Sequence, residues 1–279
     1  MNKSRNIVTS SAINILLIIA CVLSLFPLIS LLISSFQPST ELMRNGISFS
    51  IDWDQLSLDN YLYIFTQETQ YWKWYGNSLI ITFLTIILSL FFSSMVGYAL
   101  AVYNFRGKIL IFILVLLINM IPFEVMMLPL YQLMIDLKLI NTYTGVILPS
   151  IVSAFSVFFF RQYCLGLPSE LIDAARMDGC TEYGIFFKIM APLMLPAFSA
   201  MAIFQGLSSW NNFLWPLVVI RSNDLFTLPI GLATLLTPYG NNYDILISGS
   251  IMTVVPVMIL YVAFQKYFVA GLTTGSIKG

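Results

Sequence analysis

The chain contains no histidine, and this absence removes the side chain that most often serves as a general base or a metal ligand. Charged residues make up only 9% of its 279 residues, against about 25% in ordinary soluble domains, so they cannot cover a soluble surface. The formal net charge of zero argues against a nucleic-acid-binding protein, which needs a basic footprint. The three cysteines, Cys21, Cys164 and Cys180, are far apart in the sequence, so they form neither a disulfide framework nor a paired-cysteine motif.

Hydrophobic residues, by contrast, make up 58% of the chain and gather in long apolar runs. A transmembrane helix needs about 20 mostly apolar residues. Six segments meet this requirement and predict an all-α integral membrane protein with spans near 12–34, 77–102, 108–134, 143–160, 190–220 and 246–269. The predicted organisation is a cytoplasmic N-terminus over 1–11, a first transmembrane helix over 12–34, an extracytoplasmic loop over 35–76, a transmembrane core over 77–269 and a cytoplasmic tail over 270–279.

The N-terminus also looks like a secretory signal, because Lys3 and Arg5 precede an apolar run with a lipoprotein-like box at Cys21. A cleaved signal has a short apolar core, whereas this run continues to Ile33. Its length favours an uncleaved first span.

Lysine and arginine are distributed unequally between the two sides of these spans. If the N-terminus lies inside, nine are cytoplasmic and four are outside, and this excess predicts that both termini are cytoplasmic. The inner group is Lys3, Arg5, Arg106, Lys108, Arg161, Arg176, Lys188, Lys266 and Lys278, and the outer group is Arg44, Lys73, Lys138 and Arg221.

The loop between the fourth and fifth spans carries clear helix signals. Ser169 stands at an N-cap position. Glu170 and Asp173 place negative charge in the first turn, where it complements the helix dipole. Gly179 is a natural helix stop, so the first helix is predicted to end at Asp178.

A second helix is predicted to follow, capped by Thr181.

The first helix presents a small, flat face to its surroundings, formed at helical spacing by Leu171, Ala174, Ala175 and Asp178. A membrane-surface helix usually has a broad apolar face and a basic polar face, which this helix lacks. The pattern alone leaves two interpretations equally open, namely docking of another protein and burial in the membrane interface.

Several motifs of the sequence resemble those of bacterial ABC importer permeases. Residues 170–179, ELIDAARMDG, followed by Phe187, Pro192 and Pro196, are similar to the EAA loop of that family, although Cys180 replaces a more usual small residue. Residues 119–143 and the WNNFLWP run at 210–216 resemble carbohydrate-importing members. The tail GLTTGSIKG at 271–279 is similar to the end of the second permease of maltose-type systems.

This resemblance implies a type I ABC importer permease fold in a bacterial plasma membrane, with the loop forming coupling helices. It implies four kinds of partner: a related second permease, two cytoplasmic ATPases that bind ATP and magnesium, an external sugar-binding protein, and the lipid bilayer. The residues expected to couple to the ATPases are Glu170, Asp173, Ala174, Ala175, Asp178, Gly179, Thr181 and Tyr183, with Thr273, Gly275 and Lys278 from the tail.

Polar residues within the spans are candidates for the translocation pathway. They are Asn119, Glu124, Gln205, Trp210, Asn211 and Asn212. Glu124 lies between Pro122 and Pro129, which bend the helix, and it either accepts hydrogen bonds from sugar or has a structural role in satisfying local polar groups. The tryptophan and asparagines either bind a hydroxyl-rich solute or anchor the chain at the outer membrane boundary.

No phosphate-binding loop occurs in the sequence, so we expect a separate chain to hydrolyse ATP. We expect this chain to have no enzyme activity and to bind no cofactor. The expected function is that of a permease subunit of an ATP-driven, binding-protein-dependent sugar importer, which forms half of the pathway by alternating access. Two alternatives remain: an importer for another small polar solute such as a glycerol phosphate ester, and a stand-alone secondary transporter.

Overall fold

A computed structural model describes residues 2–38, 56–66, 69–236 and 243–274 of the chain, and no β-strand occurs among them. The first α-helices are Asn2–Ser34, Asp59–Thr66, Tyr71–Val102, Lys108–Asn119, Phe123–Asp136 and Tyr143–Ile147. The later ones are Ala154–Leu165, Glu170–Met177, Glu182–Ile185, Ala191–Leu193, Leu195–Trp210, Leu214–Val219, Leu228–Thr234 and Tyr243–Thr274. Short 3-10 turns cover Leu148–Ser150 and Asn223–Leu225, and a π-helical turn covers Phe186–Met190. The all-α prediction is confirmed for the described residues.

Four stretches are long and apolar enough to cross a bilayer, namely Ile13–Ser34, Tyr71–Val102, Tyr143–Leu165 and Ile245–Lys266. Two further helix pairs reach a sufficient length only when their two halves are taken together across a bend. The described residues therefore hold four to six candidate spans. The prediction of six depends on counting each bent pair as one crossing.

The first bent pair occupies the predicted third span. Lys108–Asn119 and Phe123–Asp136 meet at 105°. Pro122 has a ψ of 136°, which is outside the helical range, and a proline also disfavours helical geometry in the residue before it. The bend predicted from the two prolines is therefore at Pro122, whereas Pro129 lies inside the second helix of the pair.

The second bent pair begins in the predicted loop, at Glu182, and continues into the predicted fifth span, which starts near 190. Its halves, Glu182–Leu193 and Leu195–Trp210, meet at 77°. The helix ends at Trp210, ten residues before the predicted end near Ile220, and Leu214–Val219 is a separate short helix. Asn211 closes the longer helix with a ψ of 2°, in keeping with the tendency of asparagine to leave helical geometry.

The chain divides into two compact units, and the smaller comprises the described residues of 1–71 and 232–255. Within it the Asn60 side-chain amide donates to the Ser35 and Gln37 carbonyl oxygens at 2.9 and 2.8 Å. The Tyr71 hydroxyl donates to the Gly249 carbonyl oxygen at 2.9 Å. These bonds satisfy backbone groups at a helix end and inside a helix, as an apolar environment requires.

The larger unit comprises the described residues of 72–231 and 256–279. One apolar cluster in it forms around Phe160, Ile185 and Met194, and another around Trp215 and Val219. The helices Tyr71–Val102 and Ala154–Leu165 approach closely at Gly97. A Cβ atom added at Gly97 would lie 2.7 Å from the Phe160 Cβ and 2.9 Å from the Arg161 backbone nitrogen. Small residues permit such close contact between membrane helices.

Candidate functional site

The helix Glu170–Met177, here called the first loop helix, begins without the predicted side-chain cap. Ser169 itself has helical backbone angles, and its hydroxyl makes no capping hydrogen bond. Glu170 and Asp173 do occupy the first turn, where their charges favour the helix N-terminus. The prediction that Ser169 caps this helix is therefore wrong, because a capping residue must leave the helical region.

The end of the first loop helix follows the prediction. Gly179 has a φ of +76°, a left-handed conformation that favours glycine. The Cys180 N–H donates to the Ala175 carbonyl at 3.0 Å, as in a glycine-terminated helix. The sharp turn at Gly179 places the start of the next helix directly after it.

Burial divides the face that the sequence predicts for docking. Ala175 is buried together with Ile172 in the apolar cluster around Phe160. Leu171, Ala174 and Asp178 are exposed. Ala175 therefore fixes the loop to the body of the unit, while the other three side chains remain available to a partner.

The second loop helix, Glu182–Ile185, begins with the cap that the sequence predicts. The Thr181 side chain accepts a hydrogen bond from the Gly184 N–H at 3.2 Å. Tyr183 points outward and is 72% exposed, and Met177 at the end of the first loop helix is 88% exposed. Two large apolar side chains thus project from the loop.

A hydrogen-bonded cluster at the base of the loop joins three side chains. The Arg176 guanidinium donates to Glu182 through Nε at 2.8 Å and through a terminal nitrogen at 3.2 Å. The Tyr103 hydroxyl donates to the same carboxylate at 2.8 Å. Asp173 lies 3.6 Å from the guanidinium and completes the cluster.

These contacts change the proton affinities of the groups involved. The hydrogen bond from Arg176, and then the one from Tyr103, lowers the pKa of Glu182. Burial, followed by the hydrogen bond to the carboxylate, raises the pKa of Tyr103. The carboxylate therefore stays ionised and the tyrosine stays protonated near neutral pH.

This cluster is not apparent from the sequence. Arg176 and Glu182 are six residues apart with a glycine turn between them, so no helical spacing rule pairs them. Tyr103 is 79 residues away from Glu182. The only local indication of an ion pair was the presence of opposite charges, Arg176 and Glu182, on the two sides of Gly179.

A small polar cavity of about 70 Å³ lies in the larger unit. The Gln205 side-chain nitrogen donates to the Ser89 hydroxyl at 3.0 Å and to the Ser156 hydroxyl at 2.9 Å. These two hydrogen bonds join the helix of Gln205 to two other helices. The lining of the cavity contains no charged side chain and consists of Ser78, Ile81, Thr85, Val146, Ser150, Gln205, Ser208, Ser209, Asn212, Pro216 and Thr227.

The cavity brings together only two of the predicted pathway residues, Gln205 and Asn212. Trp210 packs against Tyr75 with ring centroids 5.6 Å apart and lines an apolar groove instead. The Asn211 side chain bonds to a carbonyl of its own helix and is exposed.

The remaining two pathway candidates lie at the bend of the predicted third span. The Asn119 amide bonds to the Val115 carbonyl at 3.0 Å. Glu124 is exposed in the first turn of its helix. Both roles considered for Glu124, contact with sugar and satisfaction of local polar groups, stay predictions.

The tail residues predicted to couple are only partly described. Thr273 lies within the helix Tyr243–Thr274, which extends into the region expected to be a tail. Gly275 and Lys278 lie outside the described residues.

Comparison with known proteins identifies the family of the chain. Residues 90–274 match the model of the binding-protein-dependent transport system inner membrane component. The chain belongs to this family. The match includes both loop helices, the polar cavity's Gln205 and the bent fifth span, and it confirms the resemblance seen in the sequence.

Two relatives of this permease are the arabinooligosaccharides transport system permease proteins AraQ of Halalkalibacterium halodurans and Bacillus subtilis. The first is 68% identical over 92% of each chain. The second is 59% identical over 96% of this chain and 95% of the relative. Both align along almost their whole length.

The fold has a counterpart among solved structures. A chain of a bacterial ABC transporter involved in the import of the acidic polysaccharide alginate superposes with a TM-score of 0.82, at 22% identity, over 95% of this chain and 98% of that one. The family match and the two AraQ relatives show that the permease is a membrane transport subunit and not itself an enzyme. Family membership also removes the alternative of a stand-alone secondary transporter.

Proposed function

We propose that the permease forms half of the translocation pathway of an ATP-driven importer for neutral oligosaccharides that contain arabinose. The observation that carries this proposal is the 68% identity to an arabinooligosaccharide permease over 92% of both chains.

The assembly proposed around this chain has one related permease, two cytoplasmic ATPases and an external sugar-binding protein in a bacterial plasma membrane. ATP and magnesium bind to the ATPases, and this chain holds no cofactor. Counting each bent pair as one crossing gives six spans. With an even number of spans both termini lie on one side, and the distribution of lysine and arginine places them in the cytoplasm.

The loop is proposed to dock into the ATPase. Met177 and Tyr183 offer exposed apolar surface beside the small side chain of Ala174, which permits close approach. The carboxylates of Glu170 and Asp178 are placed for charge-assisted hydrogen bonds to basic residues of the partner. Thr181 and Gly179 set the shape of the loop, and the tail from Thr273 through Gly275 and Lys278 adds a second contact.

Transport then follows from two conformations whose balance changes with nucleotide and sugar. Closure of the ATPases displaces the loop, and the spans reorient to open the pathway on one side and close it on the other. Gln205 and Asn212 would contact the passing solute or its water.

A glycerol phosphate ester is the competing solute. The chain is 28% identical to the sn-glycerol-3-phosphate transport system permease protein UgpE of Brucella suis, against 68% to the arabinooligosaccharide permease. The higher identity favours the oligosaccharide.

The solute is tested by uptake in cells from which the gene for this chain has been deleted. Restoring the gene should restore accumulation of radiolabelled arabinotriose and leave accumulation of labelled sn-glycerol 3-phosphate unchanged. Uptake of the phosphate ester instead would overturn the proposed solute, and so would failure to restore uptake of either compound.

The docking role is tested by Ala174→Arg, which places a bulky charge on the exposed part of the loop. We expect loss of arabinotriose uptake and loss of ATPase co-purification, while the chain still reaches the membrane. Ala174→Ser, which keeps the side chain small, is the matched control and should retain both. Normal uptake by Ala174→Arg would refute the docking role of the loop.

A further inference from the structure

The cluster of Tyr103, Arg176 and Glu182 connects the loop to a helix that is distant in sequence. Tyr103 directly follows the long helix Tyr71–Val102, and its hydroxyl donates to the Glu182 carboxylate at 2.8 Å. Arg176, at the end of the first loop helix, binds the same carboxylate. One carboxylate thus holds both loop helices and the end of the long helix.

Aromatic packing holds Tyr103 in place. Its ring contacts that of Tyr98 with centroids 5.8 Å apart and planes at 87°. Tyr98 in turn packs against Phe186, just beyond the second loop helix, at 5.1 Å. The hydrogen bond therefore joins two surfaces that already meet, so little side-chain freedom is lost when it forms.

The long helix reaches from this cluster to the polar cavity. Its 32 residues form an uninterrupted helix, which at 1.5 Å per residue is about 48 Å long. Ser78 and Thr85 on this helix line the polar cavity, and Ser89 binds Gln205. Displacement at the Tyr103 end would therefore reach the proposed pathway through a single rigid element.

The covalent route out of the loop is less direct. After the second loop helix the chain passes through the π-helical turn Phe186–Met190 and a 77° bend before it reaches Leu195–Trp210. Hinges at the ends of helices absorb displacement through changes in their backbone angles, and this break offers such a position. The non-covalent contact with the long helix has no such break.

We infer that Tyr103 and Glu182 are positioning residues that transmit displacement of the loop to the helix Tyr71–Val102 and so to the pathway. This inference rests on the proposed docking of the loop to an ATPase. It predicts that loss of the hydrogen bond separates ATP hydrolysis from transport without dissociating the complex.

The test uses the complete transporter, with its partner subunits and binding protein, reconstituted in proteoliposomes with arabinotriose. Tyr103→Phe removes only the hydroxyl. We expect the amount of arabinotriose moved per ATP hydrolysed to fall about fivefold, which is at the weak end of coupling between sites because the contact is partly exposed. ATPase co-purification should be unchanged.

The matched control is Tyr163→Phe. Tyr163 packs against the same apolar cluster as Tyr103, and its hydroxyl has no hydrogen bond among the described residues, so its removal should leave the ratio at the wild-type value. Glu182→Gln should lower the ratio, and the double variant with Tyr103→Phe should be no worse than the poorer single variant, since both remove one contact.

The outcomes separate the two proposals. A wild-type ratio in Tyr103→Phe, together with loss of uptake in Ala174→Arg, would overturn the transmission role and leave docking in place. Equal losses in Tyr103→Phe and Tyr163→Phe would also overturn it, because a general structural effect would then account for both. Normal uptake in Ala174→Arg would overturn the docking proposal itself.

Discussion

Gly97 is the position at which a single hydrogen atom in place of a side chain lets two membrane helices meet. A Cβ atom there would lie within 3.0 Å of Phe160 and of the facing backbone. We expect Gly97→Ala to lower the free energy of unfolding by about 1–3 kcal/mol, because backbone atoms cannot give way as a side chain does. Thermal unfolding in detergent, followed by loss of monodisperse protein, measures the change.

Gly76 on the same helix provides the control for this substitution. No atom lies within 4 Å of a Cβ added there. Gly76→Ala should therefore be neutral or stabilise the chain by roughly 0.5–1 kcal/mol, since alanine is the better helix former. Equal destabilisation by both substitutions would show that the Gly97 contact is not tight.

At the scale of elements, the two loop helices depend on pH through Glu182. Its folded-state pKa is lowered by the Arg176 and Tyr103 hydrogen bonds from a usual value of 4.5. The contribution to stability is fully present above pH 4.5 and is lost as pH falls through the lowered pKa. Unfolding temperatures of the wild type should thus exceed those of Glu182→Gln at neutral pH, and the difference should disappear in strong acid. A constant difference across this range would contradict the ion pair.

The sequence predicted elements best where the signal was local. The glycine stop at Gly179, the Thr181 cap and the bend near Pro122 each depend on a few neighbouring residues, and all three are present. The Ser169 cap was also a local prediction, but Ser169 itself has helical backbone angles and its hydroxyl makes no capping hydrogen bond. Burial of Ala175 depends on Phe160 and its neighbours, and no periodicity within eight residues reveals which side faces them.

The candidate site shows the same limit. Gln205 and Asn212 were identified as polar residues in an apolar run, and the structure places both at one cavity. The bond between Tyr103 and Glu182 requires that two distant segments meet, which one sequence without its fold does not reveal. The sequence predicted the chemistry of these residues, whereas their partners required the three-dimensional arrangement.

At the scale of the whole molecule, the orientation in the membrane is open to a direct test through Cys180. This thiol is exposed in the loop, whereas Cys164 is buried and Cys21 lies in the apolar first span. A membrane-impermeant maleimide should label inside-out vesicles prepared without the ATPases, which would otherwise cover the loop, and should not label intact spheroplasts, because the loop is proposed to be cytoplasmic. Cys180→Ser should abolish the labelling, and labelling of intact spheroplasts would reverse the topology.

The contact at Gly97 limits the kinds of motion open to the transporter. Two helices whose backbones touch cannot slide along each other without forcing the Phe160 side chain out of its place. The helices Tyr71–Val102 and Ala154–Leu165 therefore keep one register and move as a unit. We expect a membrane gate built on them to open by a joint tilt of the two helices, because sliding of one helix along the other would break this contact.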